Sequence, residues 1–169
     1  MVDLYEDWTA FLSLLIDHRV RFVLVGGHAV AAHARPRHTE DLDVFVEPTL
    51  ANARRIRAAL AAFGFGSVLP TAKELSTPNK VFMLGRRPYR IDVITAIDGV
   101  SFRRAWSSRI QVKLAPGKVP VIGRDALVAN KKAAGRPKDL HDLALLEEHA
   151  PRAESRRESR KPRKRRSRS

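Results

Sequence analysis

A chain of 169 residues with 44% hydrophobic content can bury a core as one domain, and the absence of cysteine excludes disulfides and thiolate metal sites. Of the net charge of +14, the stretch RAESRRESRKPRKRRSRS after Pro151 carries +8, from ten Lys/Arg against two Glu, which leaves +6 for the rest. No apolar run approaches the roughly 18 residues of a membrane helix, and the acidic start MVDLYEDW is unlike a signal peptide, so a cytoplasmic protein without membrane partners is expected.

From Asp3 to His18, apolar residues recur at Leu4, Trp8, Phe11, Leu12, Leu15 and Ile16, which predicts an amphipathic helix. Arg21 to Val25 reads as a short buried strand, broken by Gly26-Gly27. The alanine-rich His28 to His33 is a short helix, and Arg35 to Glu40 a polar loop around Pro36. Leu42, Val44 and Val46 alternate with Asp41, Asp43 and Phe45, the pattern of a strand. Pro48-Thr49 opens a long helix to about Phe63, which Gly64 stops. Residues 65 to 78 are ambiguous, with a short strand expected at Val68-Leu69 and a loop containing one helical turn over Pro70 to Pro78.

Lys80 to Leu84 and Tyr89 to Thr95 form a hairpin across Gly85-Arg86-Arg87-Pro88. A helix over Val100 to Ser107 and short strands at Ile110 to Leu114 and Val119 to Ile122 follow. Helices at Arg124 to Ala134 and Lys138 to His149 part at Gly135-Arg136-Pro137. Alternating strands and helices with a hairpin in the middle predict a mixed sheet flanked by helices, class α/β or α+β, over residues 1–150. Residues 151–169 carry almost no apolar side chain and are expected to be disordered, as a solubilising extension or a polyanion-binding arm.

Three features carry chemistry. Asp41 and Asp43 project from one side of their strand, where two close carboxylates repel, which raises one pKa or calls for a cation; hard oxygen ligands suit Mg²⁺, and a solvated strand edge is the plain alternative. Gly26-Gly27, between a strand and a helix, allows close backbone approach to a phosphate, or simply a tight turn. Asp92 points to the opposite face from Ile91 and Val93, beside Arg90 and Ile94; beside the first pair it would complete a two-metal site, and an ordinary ion pair with Arg90 or Arg87 is the alternative. Downstream, Lys131 or Lys132 ends one helix, while Lys138-Asp139 opens the next, where Asp139 or Asp142 can cap it or hold a cation. A lysine there suits a β- or γ-phosphate; solvated lysines at a helical corner are the plain alternative.

Together these motifs resemble the DNA polymerase beta-like nucleotidyltransferase superfamily: a strand, Gly26-Gly27, thirteen intervening residues, Asp41-Leu42-Asp43, and a third acid, Asp92, on a later strand. VGGHAVAAHARPRHTEDLDVFV and the later NKKAAGRPKDLHDL look like the abortive-infection toxin (AbiEii-type) branch, in which a lysine and a Lys-Asp-x-x-Asp element form the fourth motif. The resemblance covers roughly residues 20–148. It implies Mg²⁺ ligation by Asp41 and Asp43, and a catalytic metal on Asp92, which would also help deprotonate the acceptor hydroxyl. It further implies that Gly26 and Gly27 hold the triphosphate, that Lys131 or Lys132 neutralises phosphate, and that Asp139 orients that lysine or the nucleotide. Arg37 and Thr39 would contact phosphate or base, whereas His28, His33 and His38 have no assigned role. Two departures stand out: Gly27 replaces the serine hydroxyl of many relatives, and the basic segment stands where the toxins continue into a helical region.

The expected activity is transfer of an NMP from an NTP, ATP among them, to an acceptor hydroxyl on RNA or tRNA, protein or a small molecule, with two Mg²⁺ ions. A toxin with a cognate antitoxin fits this expectation, and the basic surface and tail favour RNA. The rival reading is a non-catalytic nucleotide- or RNA-binding module of the same fold.

Overall fold

Apolar side chains at helical spacing give the first helix, α1 (Glu6–Asp17), one face that buries Trp8, Phe11, Leu12 and Leu15. The computed structural model describes residues 4–151, so the expectation of disorder for the basic segment lies outside the described residues. After α1 come β1 (Phe22–Leu24), α2 (Gly26–His33), β2 (Asp41–Val46), α3 (Leu50–Phe63), α4 (Ala72–Leu75), β3 (Val81–Leu84) and β4 (Arg90–Ile94). Then follow α5 (Phe102–Ser107), β5 (Ile110–Leu114), β6 (Gly117–Val121), α6 (Arg124–Ala134) and α7 (Pro137–Glu148).

The strands form one mixed sheet in the order β3-β4-β2-β1-β6-β5. β1 lies antiparallel to β2 and parallel to β6, β2 runs parallel to β4, and the hairpins β3–β4 and β5–β6 close the two edges. The central β1 is buried throughout, as its unbroken apolar run requires. Helices α1 and α3 pack on each other, as do α6 and α7, while α2 lies against β2 and α7. The class is α/β, as the alternation of elements implies.

Local chemistry explains most boundaries. The Thr49 hydroxyl accepts from the Asn52 amide at 3.2 Å to start α3, and Gly64 ends it in the left-handed region at φ 108°. Asn52 is itself buried and ties two strand ends: its Oδ1 accepts from the Arg21 amide (2.8 Å), and its Nδ2 donates to the carbonyls of Arg21 and Glu47, each at 3.0 Å.

Two sequence expectations need correction. No strand forms at Val68-Leu69; Val68 is 84% exposed, and the ordered piece of that stretch is α4, fixed by a capping box between Thr71 and Glu74. Gly26 and Gly27 do not stand ahead of a helix but form the first turn of α2, which begins directly after β1.

Candidate active site

Side chains alternate along a strand, so Asp41 and Asp43 leave β2 on one face. The parallel register pairs Asp41 with Arg90 and Asp43 with Asp92, which brings Arg90 and Asp92 onto that same face. The strands lie about 4.8 Å apart, so Asp43 and Asp92 are immediate neighbours. Burial pushes the Asp43 carboxyl up to about 6, and the charges of Asp92 and Asp41 add to the effect against the opposing pull of Lys138 and Lys131.

The other two acids are met by arginine. Arg87, in the β3–β4 turn, donates to both Asp41 oxygens at 3.2 and 3.0 Å. Arg90 Nη2 lies 2.9 Å from Asp92 Oδ2 and 3.2 Å from Asp41 Oδ2. The ion pair of Asp92 with Arg90, weighed above as an alternative, is therefore present. Among the described residues no three Asp, Glu or His side chains converge tightly enough to enclose a metal ion. The donor chemistry still fits a hard divalent cation. Asp92 Oδ1 is buried with no hydrogen-bond partner, and among the described residues Asp43 has no ion-pair partner.

The glycines close on the acids from the neighbouring element. The Val25 amide donates to the Asp43 carbonyl at 3.0 Å, which fastens the start of α2 beside β2. Gly26 adopts φ +64°, and a Cβ there would stand 2.0 Å from Asp43 Oδ2. A Cβ on Gly27 would stand 2.8 Å from Thr39 Oγ1. Only residues without side chains permit this approach. No side chain caps α2, so its first N–H groups are free of side-chain partners at the point nearest the acids.

The third wall comes from α6 and α7. Lys131 is buried, with Nζ 3.0 Å from Asp139 Oδ1 and 2.9 Å from Asp142 Oδ2. Arg136 Nε donates to Asp139 Oδ2 at 2.7 Å. Burial raises the Asp139 carboxyl, but hydrogen bonds from Arg136 and Lys131 outweigh it and hold the group down at about 2. Asp142 also pairs with Arg37, which couples the loop before β2 to the last helix.

These parts line one cleft of about 400 Å³, whose walls include Gly26, Gly27, Arg37, Thr39, Asp41, Asp43, Asp92, Lys131 and Lys138. Asp139 lies behind the wall, holding Lys131, and Lys132 is exposed outside the lining. Arg87, Arg90 and Arg136 also line the cleft without having been assigned site roles from sequence, and so does Asp142, which the sequence offered as a cap or cation ligand. The i, i+2 spacing of Arg90 and Asp92 was a usable signal for a shared face; the pairing of Arg37 with Asp142 across 105 residues left none.

The histidines are structural. His28 packs edge-on against Trp8 with ring centroids 5.1 Å apart, and burial, helped by Arg37, pushes it down to about 4. His33 Nε2 sits 2.7 Å from the Ile122 carbonyl.

Comparisons with known proteins bear on the family and the fold. Residues 11–164 match the family model described as nucleotidyl transferase AbiEii toxin, type IV toxin–antitoxin system. Among solved structures, the chain is similar to ANT(2″)-Ia in complex with adenylyl-2″-tobramycin, with TM-score 0.54 and 15% identity over 81% of this chain and 83% of that one. It is also similar to a Thermotoga maritima protein assigned as a nucleotidyltransferase, with TM-score 0.52 and 16% identity over 79% of this chain and 86% of that one. At such identities the two structures establish the shared fold. No curated protein matches the chain significantly.

Proposed function

The chain belongs to the AbiEii nucleotidyl transferase toxin family, and from that premise we propose that it is a Mg²⁺-dependent enzyme moving an NMP from an NTP to an acceptor hydroxyl. One observation carries the reading: the β2–β4 register sets Asp41, Asp43 and Asp92 on one face, with the Gly26-Gly27 turn closed against Asp43. In this reading Asp41, Asp43 and Asp92 hold the metal, which when bound stabilises the charge developing on the transferred phosphoryl group. The N–H groups of Gly26 and Gly27 receive the triphosphate, and Thr39 and Arg37 border it. Lys131, pinned by Asp139 and Asp142, is a cation already positioned for phosphate, so little reorganisation is needed during reaction. Lys138 and Arg136 add positive charge along the same rim.

The acceptor side is open to RNA, protein or a small molecule; the structure of ANT(2″)-Ia contains an adenylylated small molecule. The +14 charge of this chain favours RNA. A cognate antitoxin and a cytoplasmic setting complete the reading; among the described residues no helix is long and apolar enough to cross a membrane.

Incubation with each α-³²P-labelled NTP, Mg²⁺ and a cell extract tests the proposal. The wild-type chain should label one class of macromolecule or metabolite, and Asp41→Ala and Asp43→Ala should lose at least about 100-fold of that transfer while keeping their thermal transitions. Equal labelling by both variants would refute it, and RNA binding that ignores Mg²⁺ would point to a binding module instead.

A further inference from the structure

We propose that Arg90, assisted by Arg87, makes divalent metal and nucleotide enter the acid cluster together. The inference rests on the functional reading above and adds a role for two residues outside the acid–glycine–lysine set. Arg90 Nη2 lies between Asp92 Oδ2 at 2.9 Å and Asp41 Oδ2 at 3.2 Å. Its Nε is buried without a partner, so the acids are what hold its head group. The register fixes Arg90 opposite Asp41, and it cannot leave the site without a change of side-chain rotamer. Arg87 adds two hydrogen bonds to Asp41 from the hairpin turn. The resting Asp41 and Asp92 carboxylates are thus neutralised by guanidinium groups from β4 and its hairpin turn, while Asp43 has no such partner among the described residues.

A bare metal ion must break these ion pairs and would leave the Arg90 guanidinium facing a second cation in a half-buried cleft. A metal arriving with a triphosphate brings the anion that accepts the displaced guanidinium, whose planar fork matches phosphate oxygens. Metal and nucleotide should therefore each tighten the other's binding by the same factor. Arg37 and Arg136 line the same cleft but are already paired with Asp142 and Asp139, and among the described residues neither forms an ion pair with Asp41, Asp43 or Asp92.

The test is Mn²⁺ binding to the full chain, read by electron paramagnetic resonance, alone and with α,β-methylene analogues of each common NTP. Wild type should bind Mn²⁺ at least about tenfold more tightly with the preferred analogue. Arg90→Gln should bind Mn²⁺ alone on the order of tenfold better than wild type, and its gain from the analogue should shrink correspondingly. Arg87→Gln should move both values the same way by less; its side chain is 57% exposed, so it decides the matter if Arg90→Gln does not fold. Equal Mn²⁺ affinity with and without analogue in wild type, or unchanged coupling in the folded variants, would overturn the proposal. If wild type binds no Mn²⁺ with any analogue, the functional reading fails and this inference falls with it.

Discussion

Gly26 carries two constraints at once: its φ of +64° and a missing Cβ whose place the Asp43 carboxylate fills. Gly26→Ala should cost about 1–2 kcal/mol in stability from the left-handed backbone alone. It should also push Asp43 aside, so label transfer should fall by more than the roughly tenfold expected of a merely loosened site. The check is to compare kcat/KM with the urea midpoint of the same variant; a stability loss with full transfer would show that Asp43 tolerates the shift. At this scale the glycines, Asp41, Asp43 and Asp92 were legible as residues of one cleft because each motif is local and its chemistry narrow. The choice between Lys131 and Lys132 needed the structure, which buries the first in the cleft and exposes the second. Arg87 and Arg90 were legible as neighbours of Asp92, but their bridge to Asp41 depends on strand register, which no local pattern specifies.

Among elements, the periodic helices and alternating strands were readable because one buried face imposes a repeat on the sequence. Residues 65–78 were readable only in part: the helical turn expected after Pro70 is α4, but the strand expected at Val68-Leu69 is absent, because this stretch is held by the Thr71–Glu74 cap rather than by a periodic face. Asn52 shows another limit. It sits on α3, yet its amide satisfies the backbone of Arg21 before β1 and Glu47 after β2, and nothing nearby in the sequence announces that staple. Asn52→Ala should leave buried N–H and C=O groups unsatisfied and cost about 3 kcal/mol. The measurement is the urea midpoint at constant m-value, and a change under about 1 kcal/mol would mean that water replaces the amide. Because β2 carries two of the acids, the same variant should also lose transfer activity at temperatures where it remains folded.

For the molecule as a whole, two buried groups pull the acid response in opposite directions: His28, held down at about 4, and Asp43, held up at about 6. The folded pKa of His28 lies below the ordinary 6.5 because burial, and then Arg37, disfavour the imidazolium. The unfolded chain therefore takes up this proton first. The stability contributed by the neutral ring is fully present above pH 6.5 and is lost as pH falls through 6.5 toward 4, by up to about 3 kcal/mol. Asp43 takes up its proton first in the folded chain and offsets this loss between about pH 6 and 4, so the readout is a difference. In urea titrations from pH 7.5 to 4.5, wild type should lose stability relative to His28→Phe, which keeps the edge-on packing with Trp8; a constant difference would assign the pH dependence elsewhere. The mixed sheet and its class followed from the order of elements, whereas the strand order did not, because β1 pairs with both its neighbour β2 and the distant β6.

That long-range closure has a consequence in time. Arg37 and its partner Asp142 are 105 residues apart, a gap that a ribosome takes about 5–20 s to translate. The glycine turn and the first two acids are made first, but Lys131 and the aspartates that hold it lie on α6 and α7 and follow much later. A nascent chain therefore passes that interval without the third wall of its cleft, and a cell that makes this protein meets the assembled site only once α7 has been made.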